Sequence, residues 1–460
     1  MATVINTWPH DMPLVRFGRY AWTLRDALEG TVIMGQQGAG KTTGSGALLA
    51  RNFLKAGFGF LVCCRKPDEV DNWIRYATET NRQNDLRIFC SDGDLSFNFI
   101  EHESKASELD YLEDLVTLMT DIASIFRVGQ EAGSNQHFWL GERSKLVRNT
   151  LTLLLLAKEP ITIKNIYEVV SSAPRSQEQV QSEDWKKDSL TFSLLLRALQ
   201  RHGKDDDELR LVDHYFRREA VGFGPLAGTQ GTVHAEFSGT FDRLRRGKIG
   251  ELFGTTTNVT PDDILNGAVL VVNIPTDTWR EAGKLAQTIW VQSLLRACNR
   301  RPYQAPAKRP VVLWQDEFQE YTADSDASFQ SGARSKGLIA IRLTQNLGGC
   351  YAAYGGPAGQ HKVDQLLGVH STKIWHRNDD PTTNDWASKI IGSDRVTRTS
   401  VSESGGTSLS EHDDPLCPPS KFLGLANGGP EHRWTVEAIV AQSGRLFGKD
   451  RCFVGEFKQR

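Results

Sequence analysis

The sequence predicts an α/β fold, a mostly parallel sheet interrupted by an all-helical insertion, and three observations carry that expectation. Short apolar, β-branched runs recur towards both ends of the chain. Helical patterns lie between several of them. The stretch from about residue 101 to 226 shows helical periodicity and almost no strand signal. Strands that are apolar at every position are covered on both faces, the condition of a parallel sheet with right-handed crossovers.

In chain order, the first run is 31–34 (TVIM), and a helix over 41–55 follows it, with Gly57 placed to end it. Runs 60–64 (FLVCC) and 87–90 (RIFC) come next. Within the insertion, 107–126 and 135–157 are the clearest helices, whereas the polar segment 172–188 (SAPRSQEQVQSEDWKKD) reads as surface loop. Strand runs resume at 268–273 (AVLVVN). A helix over 280–299 then places Leu285, Ile289 and Trp290 on one side and leads into the Pro-rich connector RRPYQAPAKRP. Runs 311–314 (VVLW), 338–341 (LIAI) and 372–375 (TKIW) complete the sheet. The Ser-, Gly- and Asp-rich stretch 399–414 reads as a loop that orders on demand. The expected division is a core in two parts, 1–100 and 227–460, around an insertion over 101–226.

Composition narrows the function classes. With 39% hydrophobic and 24% charged residues over 460 positions, the chain is globular in character. A formal net charge of −2 excludes a polycation, so nucleic acid would have to meet a local basic surface. Seven cysteines, odd in number and with no C-x-x-C pair, favour buried thiols over a metal site or a disulfide framework. The longest apolar run, 151–157 (LTLLLLA), falls far short of the roughly 20 residues needed to span a bilayer. The N-terminal residues lack a secretory h-region. The expectation is a cytoplasmic protein, with peripheral docking at an inner-membrane complex left open.

The strongest chemical signal is Gly35-Gln-Gln-Gly-Ala-Gly-Lys41-Thr42, a full match to G-x-x-x-x-G-K-[ST] between a strand and a helix. Glycines let the backbone turn its N–H groups towards anionic oxygens, and the helix start adds its positive dipole end. The pattern predicts an ATP site formed by Gly35, Gly38, Ala39, Gly40, Lys41, Thr42 and Thr43. Lys41 would reach the β- and γ-phosphates, and the Thr42 hydroxyl would ligate Mg²⁺.

Hydrolysis needs carboxylates beside this loop. Asp316 and Glu317 end the run VVLWQDE, at the strand tip where α/β ligands sit. Asp316 is expected to hold the Mg²⁺ shell and Glu317 to act as general base, although Asp316 also suits a helix N-cap. Gln345 follows the run 338–341, whose position directly after the acidic strand places it beside that strand. It either senses the γ-phosphate or caps a loop. Arg334 precedes the same run; it either reaches a neighbouring subunit's nucleotide or is an exposed arginine.

The order GQQGAGKTT, FLVCCRKPDE, VVLWQDEF, ARSKGL and LTQNL resembles the TraG/TraD-type coupling ATPases of conjugation and type IV secretion, within the FtsK/HerA group of DNA pumps. The likeness covers most of the chain, including a helical domain between the two nucleotide motifs and a terminal strand ending in FKQ. It implies a RecA-like P-loop core. By resemblance, Arg334 is a finger acting in trans and Gln345 contacts the γ-phosphate. The departures are a start almost directly at the core, where typical members begin with membrane helices, and Arg65-Lys66-Pro67-Asp68-Glu69 where an acidic-Lys-Gly signature is usual.

Arg243, Arg245, Arg246 and Lys248 form the densest basic cluster; they either track DNA phosphates or coat a solvated helix face. The resemblance implies a ring, a hexamer, in which ATP hydrolysis moves DNA, with a relaxase or secretion-channel proteins as partners. A translocase outside conjugation and a nucleotide-switched cargo adaptor are the alternatives.

Overall fold

The computed structural model describes residues 8–17, 19–106, 111–124, 136–221, 237, 239–254, 256–301, 308–321, 326–355, 357–401 and 407–459. Among these, thirteen strands run in chain order as β1 (Pro13–Phe17), β2 (Tyr20–Thr23), β3 (Thr31–Met34), β4 (Gly59–Cys63), β5 (Leu86–Cys90), β6 (Val269–Asn273), β7 (Val311–Gln315), β8 (Leu338–Thr344), β9 (Thr372–His376), β10 (Ser393–Val401), β11 (Thr407–Pro415), β12 (Thr435–Gln442) and β13 (Cys452–Lys458). All seven runs read as strands from their apolar content are among them. Nine form one sheet, in the order β13-β12-β9-β3-β8-β7-β4-β6-β5. The pairings from β9 through β3, β8 and β7 to β4 are parallel, and β12 pairs antiparallel with both β9 and β13.

Every residue of β3, β4, β7, β8 and β9 is buried, which is why these strands carry no polar alternation. Their side chains still alternate between two cores. Ile33, Ile374 and Val440 join Trp22, Phe53, Trp73 and Trp314 on one face, while Val32, Trp375 and Ile439 join Leu347, Val363 and Leu366 on the other.

The chain divides into two units. One comprises residues 1–87, 264–271 and 298–460; the other comprises 88–263 and 272–297. In the second unit the described part of 99–254 is helical, from Phe99–Ala106 to Gly247–Gly254, and its bounds extend past 101–226 on both sides.

Two local readings differ from the structure. The segment 172–188 is not loop throughout but holds the helices Gln177–Gln181 and Glu183–Asp188. Its single large apolar residue anchors it: Trp185 is buried and its Nε1 donates to the Ser172 carbonyl at 2.8 Å. The stretch 399–414 is not a loop either. Its described residues belong to an antiparallel ribbon of β10 and β11, paired from Ser393↔Pro415 to Val401↔Thr407. Polar composition there reports exposure, as the exposed Val396 and Leu409 show, and a backbone ladder forms without an apolar face. The helix read as 280–299 is present: the segment Thr276–Asn299 breaks at Arg280 (φ 48°, ψ −121°), and its longer part follows that break. The β1–β2 hairpin has no periodic signal in the sequence. It is pinned by Trp22, which stacks on Phe53 and donates to Thr372 Oγ1 at 3.1 Å.

Candidate active site

The phosphate-binding loop leaves the C-terminal tip of β3 and enters a helix whose first turn, Thr42–Gly46, is π-wound before α-geometry begins at Ala47–Lys55. Gly46 N donates to the Lys41 carbonyl at 2.8 Å, and a Cβ on Gly46 would meet that oxygen at 2.7 Å. The wider turn therefore depends on the glycine, and such turns concentrate at functional positions. Gly40 (φ 83°) is required twice over, because any Cβ there would strike Val436 Cγ2 at 2.6 Å. Beneath the loop, Ser45 Oγ and His376 Nε2 lie 2.7 Å apart. Burial pushes His376 down to about 3, so the imidazole is neutral and adds no charge of its own.

Lys41 is buried and folds back on its own loop, with Nζ donating to Gly35 O at 2.7 Å and Gln36 O at 3.3 Å. Burial lowers its pKa, against the pull of Glu317 and Asp316. Such carbonyls are weak partners for a buried ammonium, which leaves it available to an anion entering the loop. Thr42 Oγ1 donates to Asp316 Oδ2 at 3.1 Å. Asp316 is raised by burial and by the neighbouring Glu317 charge.

Glu317 is buried at the tip of β7 with φ +51°, a left-handed conformation that costs a non-glycine residue about 1 kcal/mol or more. Its Oε1 accepts from Gln345 Nε2 at 2.8 Å and lies 3.7 Å from Arg65 Nη1, while Oε2 accepts from Gln319 Nε2 at 2.8 Å. Gln345 reaches it because β7 and β8 are adjacent and parallel, so both strands end on the same side. Gly38, Ala39, Gly40, Lys41, Thr42 and Thr43, both carboxylates and Gln345 thus line one cleft of about 390 Å³, whereas Gly35 does not line it.

The cleft also holds Arg65, Glu69 and Gln459. Arg65 stands close to Glu317. Glu69 accepts from Arg65 N at 2.9 Å and is raised to about 9 by burial and by Asp316. Gln459 donates from Nε2 to Thr43 Oγ1 at 2.9 Å and accepts from Gly429 N at 2.9 Å. The charged run 65–69 signalled the first two, and Gln459, the last residue of the terminal FKQ, arrives from the far end of the sequence with no local pattern that gives it a role.

Arg334 lies elsewhere. It precedes β8 in the turn Ala333–Lys336, at the opposite end of the strand from Gln345, half-exposed and 3.4 Å from Glu29 Oε1. The basic cluster belongs to the second unit. Arg243 pairs with Glu281 at 2.7 Å, Arg245 and Arg246 with Asp242 at 2.8 Å each, and Lys248 with Glu251 at 2.8 Å.

In this chain a nine-stranded sheet carries the phosphate-binding loop on β3, the acidic tip on the non-adjacent β7 and a glutamine after β8, the strand between them, and the chain as a whole is similar to solved structures. The fold is that of a conjugative coupling protein. The unbound monoclinic form of the bacterial conjugative coupling protein TrwBdeltaN70 matches with a TM-score of 0.64 at 14% identity, over 99% of this chain and 90% of that one. TrwB in complex with ADP and Mg²⁺ matches with a TM-score of 0.66 at 14% identity, again over 99% and 90%. TrwB with the non-hydrolysable GTP analogue GDPNP gives 0.64 at 14% identity, over 99% and 91%. In sequence, residues 310–426 match the family described as the TraM recognition site of TraD and TraG. That stretch holds Asp316, Glu317, Arg334 and Gln345. No curated protein matches the sequence. Among the described residues, no helix is long and apolar enough to cross a membrane.

Proposed function

We propose that this chain is a coupling ATPase of the TraG/TraD type, which hydrolyses ATP to move DNA through a ring of identical subunits. The observation that carries the reading is the single cleft in which Lys41, Thr42, Asp316, Glu317 and Gln345 converge. The coupling-protein fold and the TraD/TraG-type segment support it, and TrwB is known with ADP and Mg²⁺.

In this reading Lys41 exchanges the Gly35 and Gln36 carbonyls for the β- and γ-phosphate oxygens of ATP, a stronger, charge-assisted pairing. Thr42 and Asp316, already within hydrogen-bond distance of each other, are the residues that would hold Mg²⁺. When bound, the ion neutralises charge on the β- and γ-oxygens. Glu317 takes a proton from water as the oxygen bonds to the γ-phosphorus and the bond to ADP breaks. Gln345 holds that carboxylate in place and offers its amide to the same water. Arg334, on the far end of β8, serves the nucleotide of an adjacent subunit. The helical unit recognises DNA or cargo, and the partners are those of a conjugative apparatus, a relaxase or channel proteins.

ATP turnover measured with and without DNA tests the reading. Stimulation by DNA is expected of a motor; turnover indifferent to DNA favours the nucleotide-switched adaptor, and absence of turnover removes the enzyme altogether.

A further inference from the structure

At the opposite end of the sheet from the phosphate-binding loop, the start of β9 and the end of β12 border a second cavity of about 350 Å³. Its most unusual wall residue is Lys373. This lysine occupies the second position of β9, flanked by Val32 of β3 and Ala441 of β12, and is only 4% exposed. Burying an ammonium inside a sheet is costly unless a carboxylate answers it. None does: Nζ donates to the His370 carbonyl at 2.6 Å, and no ion pair to Lys373 occurs among the described residues.

Two arginines join it. Arg451 lines the same cavity with no ion-pair partner among the described residues, its Nη1 lying where a Cβ on Gly392 would come within 2.6 Å. That places the guanidinium at the C-terminal end of the helix Pro381–Ile391, where the helix dipole tolerates a cation without neutralising it. Arg445 is the third; it shares Asp26 with Gln442, so its charge is only partly answered. Among the described residues, no acidic side chain lines the cavity, while the hydroxyl residues Ser371 and Ser443 do. Ile390 and Leu446, both exposed, supply an apolar side.

We propose that this cavity is a second oxyanion site, taking a phosphate group on Lys373 and Arg451, with the rest of the ligand against Ile390 and Leu446. Guanidinium forks and hydroxyl donors match tetrahedral phosphate oxygens, and the partner missing from Lys373 is supplied by the ligand. The phosphate belongs either to a nucleic-acid backbone or to a small phosphate ester. The site is separate from the nucleotide cleft and does not depend on hydrolysis there.

Burial brings Lys373 down to about 8, so part of its amine is unprotonated near neutral pH and open to acylation through the cavity it lines. Acylation of Lys373, followed by peptide mass spectrometry, reads this site directly, because phosphate bound at Lys41 does not protect it. Inorganic phosphate, a deoxynucleoside monophosphate and a single-stranded oligonucleotide are compared with chloride and acetate at matched ionic strength. Protection of Lys373 by the phosphates, abolished in Arg451→Met, is the expected result. Protection roughly tenfold tighter with the oligonucleotide assigns the site to a strand, whereas equal protection by the monophosphate assigns it to a small ester. Equal protection by phosphate, acetate and chloride, or none, overturns the proposal. Lys373→Met, which keeps the stem and removes the charge, is expected to fold and to lose the phosphate-dependent protection of Arg451 from dicarbonyl modification.

Discussion

The side-chain amide of Gln345 donates to the carboxylate of Glu317 across 2.8 Å, joining the tips of two adjacent strands. Glu317 sits in a left-handed conformation, so its aim depends on partners rather than on the strand alone. Gln345→Ala is expected to lower ATP turnover about 100-fold through misplacement of the base, with nucleotide affinity little changed. Steady-state kinetics beside a nucleotide titration separates the two; a loss of affinity equal to the loss of rate would make Gln345 a binding residue.

Glu317→Gln keeps the shape and removes the proton acceptor. Turnover is expected to fall by about 10²–10⁴ while ATP remains bound. A fluorescent-nucleotide binding assay checks this, and failure to bind ATP would contradict the role of general base.

Lys41→Ala removes the ammonium that the loop holds against Gly35 and Gln36. No other loop residue supplies that charge, so hydrolysis is expected to fall at least about 100-fold. Near-normal turnover in the purified variant would remove the loop from the chemistry.

Arg334 stands at the wrong end of β8 to serve its own cleft. Arg334→Ala is therefore expected to bind ATP normally and to hydrolyse it roughly 10³–10⁵ times more slowly. Mixing it with Lys41→Ala subunits should recover part of the activity, since some interfaces then pair an intact loop with an intact finger. Mixed assemblies that form, shown by native mass spectrometry, yet recover nothing would place Arg334 in a structural role beside Glu29.

The basic cluster poses a competition. Arg243, Arg245, Arg246 and Lys248 all have acidic partners, so a DNA phosphate has to displace Glu281, Asp242 or Glu251. If they track the backbone, Arg246→Gln with Lys248→Gln should reduce the slope of log affinity against log salt by about 0.7–0.9 for each phosphate no longer neutralised. An unchanged slope would leave the four as a solvated helix face.

Local patterns in the sequence were enough for the elements that are buried on both faces and for the loop itself. Runs such as TVIM and VVLW are apolar at every position because β3 and β7 are covered twice, and the glycine spacing of 35–42 states a backbone requirement directly. Adjacency in the chain also placed β8 beside β7, whereas the hydrogen bond from Gln345 to Glu317 is visible only in the fold. What local pattern does not carry is the ladder of an exposed ribbon, since backbone hydrogen bonds form in β10 and β11 whatever the side chains are. Nor does it carry meetings between distant segments. The Gln459 amide on Thr43 and the pocket joining Lys373 to Arg451 each depend on strand order, with β12 folding back antiparallel against β9 and β13 antiparallel against β12. Hydrophobic periodicity specifies which face is buried, but the sheet order decides which buried lysine is left without a carboxylate.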